Sequence, residues 1–158
     1  MELERELRGR LDAVRERVSA AARRAGREPG EIEVVAVSKG VPAGRVAALA
    51  RLGVHHLGEN RVEEAEAKIP AVHALLTADE ARALSWYLVG HLQSRKAARA
   101  LQLFDEVHSV DSVRLAARLD RLAGEGGRRL PILLEVNISG EATKYGLSAG
   151  AWPRDREQ

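Results

Sequence analysis

Four lysines, Lys39, Lys68, Lys96 and Lys144, stand in a chain of 158 residues whose other positive charges are all arginine, 25 basic residues in total. A guanidinium stays protonated and forms no imine, whereas a desolvated lysine amine can lose its proton and attack a carbonyl carbon. These positions are therefore candidates for chemistry that needs a primary amine, against the plain alternative of base composition and chance. Lys39 has the most informative surroundings. It closes the stretch VVAVSKG, after the apolar run 32–37 and before Gly40, Val41 and Pro42, which places it at the mouth of a strand beside Val37. Apolar neighbours there are expected to screen the amine from water and favour its neutral, nucleophilic form. The competing reading is a solvated strand-end lysine, the common state of this residue type. His55, His56, His73 and His108 form no i, i+4 pair with a nearby acid, so no metal is assigned. The absence of cysteine excludes disulfides, thiolate metal sites and thiol nucleophiles.

Positioning such an amine requires strands, and the hydrophobic period alternates between helix-like and strand-like. Leu3, Leu7, Leu11, Val14, Val18 and Ala22 trace an amphipathic helix that Gly26 and Pro29 end. The first strand runs up to Lys39. Pro42 opens a helix with Val46, Leu49 and Ala50 inside, closed by Gly53, and VHHLGEN reads as the second strand. Asn60 followed by Glu63 resembles a capping box that starts a helix through Ile69, which Pro70 stops; Thr77 and Glu80 repeat the signal. SWYLVGH is the third strand, SRKAARALQLF a helix, DEVHSVD the fourth strand, and Asp111 or Ser112 caps a helix through Leu122. GEGG then turns the chain into a fifth strand, LPILLEVN. Strands this apolar, alternating with helices, predict an α/β fold with a parallel sheet covered on its faces. Their tips, SKG, GEN, GHLQS, HSVD and NISGE, are polar or glycine-bearing, and ligands of α/β folds bind at such carboxyl ends, so the five tips are expected to converge on one site.

Composition bounds the function. With 45% hydrophobic and 30% charged residues the chain reads as a soluble globular protein of about one domain, its core built with few aromatics, at 3%. No run of about 18 apolar residues could span a bilayer, and MELERELRGR lacks the apolar stretch of a signal peptide, so the expected location is cytoplasmic with no membrane partner. A net charge of +2 with interleaved signs gives no footprint for nucleic acid and suits a small anion.

VVAVSKG, GEN before an acidic helix, WYLVGHLQSRK, VHSVD and ILLEVNISGEATKYG, in this order and spacing, resemble the pyridoxal phosphate homeostasis proteins of the YggS/PROSC type over residues 1–147. The resemblance implies a TIM (β/α)8-barrel of the alanine-racemase N-terminal-domain type with an extra N-terminal helix. It implies pyridoxal 5′-phosphate held as a Schiff base on Lys39, with Val37 beside it. Asn60 and Asn137 are then expected to face the cofactor, Asn60 doubling as a helix N-cap. His91 either approaches the ring or caps a loop. Lys96 and Lys144 fall on motif positions from which they could help phosphate enter or leave.

A barrel of this class needs about 250 residues. Five of its eight strands are expected here: residues 1–147 form a partial barrel, and 148–158 (SAGAWPRDREQ) match neither the family nor a sixth strand. The family's phosphate loops and its arginine partner for the pyridine nitrogen fall in the missing units, so no residue here takes those roles. Unpaired sheet edges point to self-association. The leading function is intracellular cofactor storage and delivery, with pyridoxal-phosphate-dependent apoenzymes as recipients and no established turnover. The alternatives are a fold-type III racemase-like enzyme, for which Tyr87 and Tyr145 are the only tyrosines available as opposing base, an imine-forming aldolase-like enzyme, and a non-functional barrel fragment.

Overall fold

In the computed structural model, which describes residues 2–149, helices and strands alternate as the hydrophobic period predicts. α1 (Glu2–Arg24) buries Leu11 and Ala22 on its apolar side, while Val14 on the same stripe stays 43% exposed. There follow β1 (Ala36–Val37), α2 (Ala43–Arg51), β2 (His56–Glu59), α3 (Val62–His73), α4 (Ala78–Arg82) and β3 (Ser85–Leu88). After them come α5 (Ala97–Leu103), β4 (Glu106–Val110), α6 (Val113–Glu125), β5 (Ile132–Leu134), β6 (Val136–Asn137) and β7 (Leu147–Ser148). β1 to β5 form one sheet in sequence order, with parallel registers that set Ala36 opposite Leu57, Tyr87 opposite Glu106 and Val107 opposite Ile132. Sequential parallel strands joined through helices are the repeating unit of a (β/α) barrel, so the fold class agrees with the sequence reading for these five strands.

The chain divides into two compact units, Met1–Gly58 with Ala67–Ser85, and Glu59–Glu66 with Trp86–Gln158. In the first, Val46, Ala47, Leu57 and Val72 are buried; in the second, Leu88, Phe104, Val107, Leu115 and Leu119 are. Each large side chain withdrawn from water in this way contributes about 1.5–3 kcal/mol before chain entropy is counted.

Local chemistry explains most element ends. Thr77 Oγ1 accepts from the Glu80 N–H and the Glu80 carboxylate accepts from the Thr77 N–H, the predicted capping box. Of the two cap candidates for α6 it is Ser112 whose hydroxyl accepts from the Leu115 N–H, and the helix runs on past Leu122 to Glu125. Two expectations for α3 fail. The helix begins at Val62, so Arg61 rather than Asn60 occupies the N-cap, and the Arg61 carbonyl accepts from the Ala65 N–H. Nor does Pro70 stop it. Pro70 and Glu66, four residues earlier, are both exposed, so water can serve the carbonyl that the missing N–H leaves, and the Pro70 carbonyl still accepts from Ala74.

The outer strands depart from the reading as covered apolar runs. The ladder of β1 takes in only Ala36 and Val37, and Val37 is 50% exposed. The expected fifth strand divides: β5 pairs with β4, β6 pairs with β7, and the change of partner falls at Glu135. There the N–H donates to the Val110 carbonyl while the Glu135 carbonyl accepts from Leu147. β5 ends the five-stranded sheet, and Ile132, Leu133 and Leu134 remain 37%, 54% and 46% exposed. Of the segment expected to match no strand, Ser148 belongs to β7; positions 150–158 lie outside the described residues.

Candidate functional site

Lys39 sits in the first unit at the tip of a tight turn. Its predecessor, Ser38, is buried and extends the β1 ladder by donating its N–H to the Gly58 carbonyl at 2.8 Å. The Ser38 carbonyl then accepts from the Val41 N–H at 3.0 Å, closing a four-residue turn over Lys39 and Gly40. Gly40 has φ +68° and among the described residues no non-glycine has positive φ, so this is a type II turn with Lys39 at its second position and the glycine where only it is unstrained. The same Ser38 carbonyl also accepts from Nζ of Lys68 at 2.5 Å, and Lys68 is itself buried.

This turn corrects the expected screening of Lys39. The residue is exposed, and Val37 beside it is half exposed, because the chain leaves β1 immediately before the lysine and the turn carries it outward. An accessible amine results, positioned through the backbone of its predecessor.

The other candidates lie in the second unit, where the ends of β3, β4 and β6 meet. Gly90 packs so closely on Asn60 that a Cβ there would fall 2.3 Å from the Asn60 carbonyl oxygen, and the Gly90 carbonyl accepts from Ser109 Oγ at 2.7 Å. The next residue, His91, holds Asp111 Oδ2 3.0 Å from its Nδ1. That carboxylate fixes the proton on Nδ1 and directs Nε2 away from it. The other partner of His91 is Tyr145, whose ring stacks on the imidazole at 3.8 Å between centroids and 14° between planes.

Asn137 organises the loop that carries Tyr145. Its Nδ2 donates to the carbonyls of Glu141 (2.9 Å) and Lys144 (3.4 Å), and its Oδ1 accepts from Ser139 Oγ (3.2 Å) and the Gly140 N–H (3.0 Å). Gly146 closes the loop at φ +117°, where a Cβ would lie 2.7 Å from the Asn137 nitrogen. His91, Ser94, Arg95, Asp111, Arg114 and Tyr145 are among the residues lining a cleft of about 670 Å3. Its guanidiniums suit an anionic ligand.

The remaining motif lysines are engaged. Nζ of Lys96 lies 2.6 Å from Glu63 Oε1, and Nζ of Lys144 lies 2.6 Å from Glu141 Oε1. The Lys96 hydrogen bond, with help from a backbone N–H, holds the Glu63 carboxyl below the usual carboxylate range.

Thus Asn60, His91 and Asn137 share the second unit, His91 and the Asn137 loop meeting through Tyr145, while Lys39 and Val37 belong to the first. Sequence reasoning named Lys68 only as one of four lysines and Asp111 only as a helix cap, and gave neither a role in the site. A signal for Lys68 existed: Val62, Ala65, Ile69 and Val72 mark the buried face of α3, and a lysine at 68 interrupts it.

Comparison with known proteins bears on this arrangement. The family model for the N-terminal domain of alanine racemase matches residues 10–157. The pyridoxal phosphate homeostasis protein of Mycobacterium leprae is 37% identical over 156 residues, 94% of this chain and 61% of that protein. A crystal structure of an unknown protein from Bifidobacterium adolescentis is similar with a TM-score of 0.82 and 35% identity, covering 92% of this chain and 60% of the other. PipY of Synechococcus elongatus, in a structure with PLP bound, gives a TM-score of 0.65 and 41% identity over 79% of this chain and 56% of its own. The chain therefore spans about three-fifths of the length of the curated relatives it matches.

Proposed function

This chain belongs to the alanine racemase N-terminal domain family, and we propose that it takes part in binding pyridoxal 5′-phosphate for cofactor homeostasis, with Lys39 as the attachment amine. The observation that carries the reading is the exposed Lys39 amine at the tip of a turn whose base is fixed by Ser38, in a chain whose relatives include a protein solved with PLP bound. The residues fit the group: a primary amine is the side chain that condenses with an aldehyde, and water-exposed geometry lets an aldehyde reach it. When bound, the cofactor supplies an aldehyde for covalent attachment and a pyridine ring that can accept electrons.

The chain's own groups divide the remaining work. Lys39 Nζ would supply the nucleophilic electron pair, and its two amine hydrogens would leave with the aldehyde oxygen as water. Within the first unit Val37 supplies an apolar neighbour to Lys39; within the second, Asn60, held against Gly90, and His91, oriented by Asp111, offer polar groups, while Asn137 holds the loop that carries Tyr145. The role is storage and delivery, with pyridoxal-phosphate-dependent apoenzymes as recipients. The exposed apolar side chains of β5 support self-association.

Reduction with borohydride after adding pyridoxal 5′-phosphate, followed by peptide mass mapping, tests the attachment. The tag is expected on Lys39 and lost in Lys39→Ala; a tag carried by Lys96 or Lys144 instead would falsify the assignment. A racemase-like reading draws on Tyr145 against the His91–Asp111 pair, and requires solvent deuterium to enter the α-position of an amino acid during incubation with the loaded protein.

A further inference from the structure

Lys68 is the least expected polar side chain of the first unit. It occupies the inner face of α3, between Ala65 and Val72, and is 9% exposed. Burying an amine there costs desolvation free energy, so its place needs a partner that repays the loss. One such partner is the carbonyl of Ser38, 2.5 Å from Nζ and 30 residues away in sequence. That carbonyl is not an ordinary one. It is the acceptor that closes the Ser38–Val41 turn, and it belongs to the residue directly before Lys39.

We propose that Lys68 is a positioning residue for Lys39: its Nζ clamps the Ser38 carbonyl, sets the plane of the Ser38–Lys39 peptide, and so fixes the direction in which the Lys39 amine leaves the turn. The inference rests on Lys39 being the attachment amine. Its physical content is that a carbonyl held both by the turn N–H of Val41 and by a buried cationic donor has little freedom to rotate. Without the Lys68 donor the Ser38–Lys39 peptide can tilt about its flanking Cα atoms, because a carbonyl accepts a hydrogen bond over a broad range of orientations. Rotation of that peptide swings the Lys39 side chain away from one approach direction, and misplacement by about 1 Å can slow a positioned reaction by about a hundredfold.

The test compares the wild-type chain with Lys68→Met, which keeps the stem and removes the donor, and with Lys68→Arg, which restores a donor at a different reach. Each protein is treated with pyridoxal 5′-phosphate and, separately, with acetaldehyde; borohydride then traps the adducts at timed intervals, and peptide mapping reads Lys39, Lys96 and Lys144 apart. Amide hydrogen exchange at Val41 is followed in the untreated proteins. Lys68→Met is expected to slow trapping at Lys39 about tenfold with both aldehydes, to leave Lys96 and Lys144 unchanged, and to speed exchange at Val41, with Lys68→Arg recovering part of each effect. Unchanged trapping at Lys39 in Lys68→Met overturns the proposal, and so does an equal change at all three lysines, which marks a general loss of structure. Should Lys68→Met not fold, the same selectivity is read in Lys68→Arg, where a slowing confined to Lys39 supports the clamp and a uniform or absent change overturns it. Failure of the cofactor reading looks different: acetaldehyde still reports the effect of Lys68 on Lys39, while pyridoxal 5′-phosphate does not attach to Lys39 in the wild-type chain.

Discussion

The turn at Ser38–Val41 and the loop from Asn137 to Gly146 both present candidate site residues from the end of a strand, and they are built in opposite ways. The turn is held from below, by backbone bonds to Gly58 and within itself and by a buried lysine, and its own central side chain, Lys39, stands exposed. The loop is held from within by side chains, with Asn137, whose amide serves four partners, at its centre and a Lys144–Glu141 pair beside it, and the residue it displays, Tyr145, is already stacked on His91. A reactive amine must remain available, so its support acts through the main chain; an orienting imidazole works through its contacts, so it comes with its carboxylate and its ring partner in place.

The contrast is sharpest at the two glycines. Gly146→Ala places a methyl group 2.7 Å from the Asn137 nitrogen and 3.0 Å from the Val136 carbonyl carbon, on a backbone at φ +117°. Neither atom can move aside without breaking the pairing of β6 with β7. The expected cost is about 3 kcal/mol, read as faster amide exchange through residues 137–147. Gly40→Ala meets nothing within 4 Å and carries only the left-handed conformation at φ +68°. It is expected to cost about 1 kcal/mol in chemical denaturation. Equal losses from the two substitutions would erase the distinction between a packed loop and an open turn.

The smallest effect separates Lys39 from Lys96. The Lys96 hydrogen bond keeps the Glu63 carboxyl below its ordinary range, so the folded state binds that proton less readily than the unfolded chain. Stability from this pair is therefore fully present above the unfolded carboxylate value and fades as pH falls through the lowered folded one. Both partners reach solvent, so the expected change is slight. Denaturation midpoints of the wild type and Glu63→Gln should converge as pH drops below about 4, and midpoints that diverge on acidification would reverse the assignment.

What could be read in the residues and what could not follows from separation along the chain. The capping box of Thr77 and Glu80 and the Ser112 cap each involve donors three residues away, and a three-residue pattern is visible as letters. The alternation of helices and strands was equally legible, since each element's apolar period is local. The Asn60 cap failed by one position because Asn-x-x-Glu fits a capping box while the backbone turned helical only after Arg61. The stop at Pro70 failed because an exposed proline can be tolerated where solvent serves the orphaned carbonyl. Screening of Lys39 failed because an apolar run before a lysine says nothing about the direction of the turn after it.

From its letters alone this chain determined an alternating α/β sheet, polar strand ends, and a lysine at the first of them, because hydrophobic period and turn chemistry act over a few residues. Tertiary structure decided the rest: that Lys68 reaches a carbonyl 30 positions away, that Asp111 and Tyr145 meet His91, and that the fifth strand changes partners at Glu135. Those contacts depend on how strands lie side by side, a geometry that packing of the whole chain imposes and no short window of residues contains.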